Sequence, residues 1–147
     1  MAYENNNVRT GANGAGVYIG NTEIMGGGVR NNISVKKEDC ITCFINGSNN
    51  NKTVDLFGYN NEGSAVVLET IIVPPGGIIV KTYSSGSADN YWRLKEASTM
   101  FIWESYKEED STLINIPVVE KVLSPNEDFN IMAYYYLNTI RVMYITA

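Results

Sequence analysis

The feature that most constrains this chain is a series of short apolar runs, each closed by a turn-forming sequence. The runs are rich in β-branched and aromatic residues and follow one another at intervals of about 8–12 residues. The clearest lie at 41–48 (ITCFINGS), 53–59 (TVDLFGY), 65–73 (AVVLETIIV) and 78–83 (IIVKTY). This succession predicts an all-β domain, a jelly roll or β-sandwich of about eight strands.

The sequence PPGG, at Pro74 to Gly77, is the clearest turn in the chain. Proline presets a negative φ and glycine accepts a positive φ, which are the two requirements of a tight turn. We therefore expect the runs on either side of it to pair as one antiparallel hairpin.

Residues 91–110 are compatible with two structures. One is a single amphipathic helix beginning near Asp89, and the other is a pair of strands, YWRLK and TMFIWESY, around a turn at EAS. Aromatic and β-branched residues dominate the segment, which favours the strands.

The C-terminal part continues the strand pattern. Residues 111–123 read as a strand in which Pro117 requires an edge position or a bulge, and SPNED (124–128) reads as a turn. The segment 129–147 reads as one long strand or two short ones with a bend at Asn138.

The first 32 residues differ in composition from the rest. Residues 1–32 are rich in Gly and Asn, with a short strand-like piece, GVYIG, and we interpret them as an extended N-terminal arm or connector. Residues 33–147 then form the sandwich domain.

Charge and composition exclude several classes of function. The formal net charge is −5, which disfavours nucleic acid as a partner. No apolar run approaches the roughly 18 residues of a membrane-spanning helix, and no conventional secretion signal opens the chain. The absence of histidine removes the commonest general base and metal ligand, so the sequence indicates no enzyme.

The motifs that suggest cofactors or metals are incomplete. GANGAG and GGG lack the Lys-Ser/Thr of a phosphate loop, and KEED (107–110) and NEDF (126–129) lack the alternating ligands of a calcium loop. The sequence therefore predicts no catalytic, cofactor-binding or metal site.

The two cysteines, Cys40 and Cys43, have the C-x-x-C spacing but precede a strand rather than a helix. Three residues apart on a strand, their side chains point to opposite faces, so we expect one buried and one exposed thiol. A second interpretation is a disulfide from Cys40 to another subunit, with Cys43 as the other candidate.

Aromatic residues suggest a surface that binds sugar or another subunit. Tyr134, Tyr135 and Tyr136 are consecutive, and Trp92 and Trp103 lie in other runs. Three consecutive tyrosines cannot share one face of a strand, which fits a strand buried in a core on one side and in an interface on the other.

An extended polar arm becomes ordered by lying along a neighbouring sheet or groove. We therefore predict a homopolymer in which the arm docks into neighbouring subunits. The candidate inter-subunit contacts are Tyr3, Val8, Val17, Tyr18, Ile19, Tyr134 and Tyr136.

The arm, the strands TCFINGS and TVDLFGY, and the turn VPPGG together resemble the jelly-roll subunits of bacterial endospore appendages. The resemblance implies a self-assembling subunit of an extracellular fibre on a cell or spore surface, made without a conventional signal peptide. The connectors of that family often carry cysteines that bond to neighbouring subunits, whereas this arm has none.

Two other functions remain open on the sequence alone. A phage virion protein of the tail, neck or decoration type also uses arms and sandwiches. A carbohydrate-binding module would use an exposed aromatic platform on the sandwich.

Overall fold

The computed structural model describes residues 8–10, 16–19, 21–26, 40–83, 90–107, 113–130 and 138–147. Every regular element in these ranges is a β-strand. The prediction of an all-β chain is confirmed.

Twelve strands are described, and they form three sheets. The first sheet, in the order β1-β2-β3, contains β1 (Val8–Thr10), β2 (Gly16–Ile19) and β3 (Thr22–Gly26). The second, in the order β10-β9-β12-β4-β7, contains β4 (Cys40–Asn46), β7 (Ile78–Tyr83), β9 (Ser98–Lys107), β10 (Leu113–Leu123) and β12 (Asn138–Ile145). The third, in the order β11-β8-β5-β6, contains β5 (Lys52–Tyr59), β6 (Ala65–Val73), β8 (Tyr91–Leu94) and β11 (Asp128–Asn130).

The five-stranded and four-stranded sheets pack face to face as a β-sandwich. Between them lies an apolar core that includes Phe44 and Trp92, whose rings meet edge to face at 5.0 Å between centroids. Strand β12 pairs with β4 in parallel, starting from Thr139 opposite Cys40, whereas the sheets of a jelly roll are antiparallel throughout. The sandwich alternative of the fold prediction is thus the one that the strand pairing supports.

The other face of the five-stranded sheet is also covered. Val17 of β2 is completely buried and packs in a second apolar cluster with Trp103 of β9 and Tyr144 of β12. Within the segment interpreted as an arm, the described residues therefore form a three-stranded sheet that contacts the sandwich of the same chain.

The predicted hairpin around PPGG is wrong, although the turn itself is present. Gly77 N–H donates to the carbonyl of Pro74 at 2.8 Å, and Gly76 has a φ of 73°, as the third position of a type II turn requires. However, β6 pairs with β5 and β7 pairs with β4, so the turn carries the chain from one sheet to the other. A four-residue turn signal defines a reversal of direction but not the partner of each strand.

The strand interpretation of 91–110 is confirmed by β8 and β9, which flank a short bend. Pro117 lies in edge strand β10 at a register irregularity between Ile116 and Val119, as its lack of an N–H donor demands. Asn126, in the predicted SPNED turn, has a positive φ of 61°.

Candidate functional site: an apolar edge and an aromatic face

Strands β6 and β7 form one side of the sandwich, because each is the last strand of its sheet in the described part of the chain. We call this side the β6–β7 edge and define it by four side chains that are 54–59 % exposed: Leu68, Ile72, Ile78 and Val80. Ile72 lies on the outer face of the four-stranded sheet, whereas Ile78 and Val80 lie at the exposed end of the outer face of the five-stranded sheet, so the apolar surface wraps around the edge. Exposed β-branched residues on edge strands are typical of surfaces that recruit a partner.

The sequence of β6 explains why apolar residues reach its surface. Ile71 and Val73 point into the core, so Ile72 between them must point outward. A bulge follows toward the start of the strand, where Leu56 pairs with Glu69 but Phe57 pairs with Val67, leaving Leu68 as the extra residue. The run AVVLETIIV is apolar on both faces, although the sandwich covers only one of them.

A buried asparagine fixes the corner that joins β6 to β7. The Nδ2 group of Asn46 donates to the carbonyls of Val73 and Asn50, each at 2.8 Å. Its Oδ1 accepts from the backbone N–H and the hydroxyl of Ser48 at 2.9 and 2.6 Å. Its backbone also bonds to Gly76 and Gly77. Since these groups are shielded from water, the corner is held rigidly, and with it the β6–β7 edge.

One ion pair joins the two strands of this edge. Lys81 of β7 pairs with Glu69 of β6, and both side chains are about a third exposed. The pair places charge next to the apolar side chains, as edge strands in natural sheets commonly do.

The opposite edge of the five-stranded sheet is also apolar. Strand β10 exposes Val119 and Val122, the latter 72 % exposed. The described residues therefore present apolar side chains at two different edges of one molecule.

The outer face of the four-stranded sheet carries two parallel rows of side chains. In the polar row, strand register places Asp128 beside Arg93, Arg93 beside Asp55, and Asp55 beside Thr70. In the aromatic row, Tyr91 lies beside Phe57, and the two rings are parallel to within 2° with centroids 5.2 Å apart.

Side-chain contacts of Arg93 join the polar row to the aromatic row. The guanidinium carbon of Arg93 lies 4.6 Å from the centre of the Phe57 ring, and its Nε donates to Asp128. The hydrogen bond from Arg93 to Asp128 raises the pKa of the guanidinium further, so its positive charge is permanent. The Thr70 hydroxyl donates to Asp55 Oδ1 at 2.7 Å.

The predicted inter-subunit residues are distributed differently from these surfaces. Val17 is buried against its own chain, and the Tyr18 hydroxyl donates to Glu23 at 3.4 Å. Val8 and Ile19 lie in β1 and β2. Tyr3, Tyr134 and Tyr136 lie outside the described residues, and contacts of all seven with another subunit stay predictions.

Both cysteines are free and buried, so the expectation of one exposed thiol is wrong. Their side chains do point to opposite faces of β4, Cys40 into the core between the sheets and Cys43 toward the three-stranded sheet. The reason is that both faces of the five-stranded sheet are covered. Burial raises the pKa of both thiols, that of Cys43 to about 11, so neither is activated for redox chemistry. A disulfide to another subunit stays a prediction that this burial does not favour.

The tryptophans considered for a sugar platform are core residues. Trp92 and Trp103 are completely buried. On the outer face of the four-stranded sheet the aromatic side chains are instead Phe57, Tyr59 and Tyr91, which sequence reasoning missed. Their alternation with polar residues in TVDLFGY and YWRLK is the signal that could have identified them.

Among the side chains that the structure describes, no group of three or more Cys, Asp or Glu is arranged to hold a metal ion. The same ranges contain no helix of sufficient length and apolarity to cross a membrane.

Comparison with known proteins returned no matching family model, no matching curated protein and no matching solved structure. The sandwich edges and the outer face of the four-stranded sheet are therefore the basis for a functional proposal.

Proposed function

We propose that this protein is a structural subunit that assembles with copies of itself, and that its assembly forms an extracellular fibre or appendage. The observation that carries the proposal is the β6–β7 edge, where four large apolar side chains are more than half exposed. Burying such side chains against a partner is favourable by about 25 cal/mol per Å² of apolar surface.

The two apolar edges favour an open assembly. The β6–β7 edge and the β10 edge are different surfaces, so contact between them is head to tail. A head-to-tail contact repeats from one subunit to the next and gives a ring or a filament. Among the described strands, β7 and β10 each pair on one side only, and such edges can extend the five-stranded sheet across that contact.

The N-terminal segment supplies a second means of linking subunits. Residues 27–39 connect β3 to β4, and a chain of that length spans up to about 45 Å when extended. The three-stranded sheet that covers its own sandwich can therefore make the same contacts on a neighbour, as in domain swapping. This exchange, together with the resemblance to endospore appendage subunits, supports a fibre; a phage virion part would use the same edges in a different assembly.

Sedimentation velocity on the full chain tests the proposal. The double substitution Ile72→Lys and Val80→Lys places two charges on the β6–β7 edge, and we expect it to convert large assemblies into a small, folded species. The matched control is Ser64→Lys, which adds charge at an exposed turn away from the edge and should leave assembly unchanged.

Two results would overturn the proposal. One is a wild-type chain that stays monomeric at all concentrations reached. The other is an edge variant that assembles as fully as the Ser64→Lys control.

A further inference from the structure

The aromatic and polar rows on the outer face of the four-stranded sheet go beyond what assembly through the sandwich edges requires. Self-association of the β6–β7 edge uses aliphatic side chains, whereas this face carries Phe57, Tyr59, Tyr91 and Arg93. We propose that it binds a chain of neutral sugars, specifically pyranose rings with equatorial substituents.

The aromatic row supplies the apolar half of such a site. Tyr59 is 51 % exposed, and its ring centre lies 6.3 Å from that of Tyr91. Tyr91 and Phe57 are parallel and cover part of one face of each other, so the exposed Tyr59 is the main ring contact for a sugar. A pyranose whose substituents are equatorial presents axial C–H groups on its faces, and these pack against aromatic carbon with little loss of hydration.

The polar row supplies hydrogen-bonding groups beside the aromatics. Arg93 uses its Nε for Asp128, which leaves the terminal amino groups of its fork without an acceptor among the described residues. Asp55 is buried: it accepts from Thr70, and its Oδ2 lies 3.9 Å from the Nζ of Lys95, whose side chain is 57 % exposed. The donors that this row offers a sugar hydroxyl are therefore Arg93 and Lys95. Because residues two apart on a strand are separated by about 6.7 Å, the two rows lie within reach of one sugar ring and its hydroxyls.

The charges of the face indicate a neutral glycan. Two cations, Arg93 and Lys95, pair with two carboxylates, Asp128 and Asp55, so these four side chains carry no net charge. The chain as a whole carries a formal charge of −5. Both facts disfavour uronic-acid or sulfated polymers, whose binding requires a positive field.

The shape of the surface favours an extended chain over a single sugar. Four strands about 4.8 Å apart make a face about 14 Å across, wider than one pyranose ring. Linear β-linked glucans have equatorial linkages and keep successive rings in a flat ribbon, so cellohexaose is the probe that fits this face.

Saturation-transfer difference NMR of the full chain with cellohexaose tests the proposal, because it works for monomers and for large assemblies alike. We expect transfer to the axial ring protons of cellohexaose and little transfer to the α-linked control maltohexaose. Tyr59→Ala and Tyr91→Leu should each weaken cellohexaose binding by about three- to tenfold.

Two controls separate binding from stability. The Tyr91→Leu variant keeps apolar bulk on the strand, and Asn49→Ala, at an exposed bend between β4 and β5, should bind normally. Absence of transfer to cellohexaose would overturn the proposal, as would unchanged binding in folded Tyr59→Ala and Tyr91→Leu variants. Equal transfer to maltohexaose would overturn the equatorial pyranose as the ligand. None of these results bears on edge-mediated assembly, which sedimentation tests separately.

Discussion

The two sheets of the sandwich differ in how many of their faces are covered. The five-stranded sheet has an apolar cluster on each face, one against the four-stranded sheet and one against the three-stranded sheet. The four-stranded sheet has a core on one face and a solvent-exposed outer face. We call the five-stranded sheet the scaffold; the surfaces proposed for binding are the edges of the sandwich and the outer face of the four-stranded sheet.

Two ion pairs between neighbouring strands differ in burial in the same way: one lies in the core and the other on the outer face of the four-stranded sheet. Arg141 of β12 and Glu104 of β9 face the core, with Nε and Oε1 3.1 Å apart and side chains only 4 % and 16 % exposed. Arg93 and Asp128 pair on the open face. An ion pair in a low-dielectric environment tolerates the loss of one partner far less than a solvated pair does.

The largest effect is expected where the three-stranded sheet covers the scaffold. Val17→Asp places a carboxylate in an apolar cluster, and we expect it to lower the free energy of unfolding by about 3 kcal/mol or more, measured by urea denaturation. Asn21→Asp adds the same charge at an exposed turn between β2 and β3 and serves as the control. Equal stability of the two variants would show that this sheet does not cover the scaffold in solution.

A smaller effect is expected from breaking the buried ion pair. Glu104→Gln removes the carboxylate charge that faces Arg141 and should cost about 3 kcal/mol of unfolding free energy. The matched change on the open face, Asp128→Asn, should have little measurable effect, because water solvates the Arg93 charge. If thermal and urea unfolding ranked the two variants in the reverse order, the contrast between the sheets would be wrong.

The smallest effect is expected for the two cysteine thiols of the scaffold, and it is measured as their rate of alkylation. Because burial raises the pKa of Cys40 and Cys43, iodoacetamide at pH 8 should alkylate the folded chain much more slowly than the urea-unfolded chain. The unfolded thiol ionises near its ordinary pKa of 9.0, whereas Cys43 keeps its proton up to about 11. The stability contributed by Cys43 is therefore fully present below pH 9 and is lost as the pH rises toward 11. Fast alkylation of the native chain would contradict the double coverage of β4.

Local structure followed from the sequence to a large extent. The bounds of β6 and β7, the turn at PPGG and the position of Pro117 in a bulged edge strand depend on residue type and alternation, which act over a few residues. The pairing of strands, in contrast, is not determined by residue type and alternation within a few residues. Nothing in PPGG specifies whether the next strand returns beside β6 or crosses to the other sheet, so the hairpin prediction failed there.

The surfaces were harder to predict for a related reason. Ile71 and Ile72 are the same residue type and point to opposite faces of β6, and only the packing of the sheets decides which face is covered. Cys43 is buried because a segment more than twenty residues earlier folds back over β4, whereas Cys40 is buried between the two larger sheets; spacing alone reveals neither contact.

The measurement that tests self-assembly most directly is cryo-electron microscopy of the purified full-length protein at high concentration. If the sandwich edges mediate assembly, we expect filaments or stacked rings in which the β6–β7 edge of one subunit contacts the β10 edge of the next. Uniform single particles of one chain, or assemblies in which both edges face solvent, would contradict it.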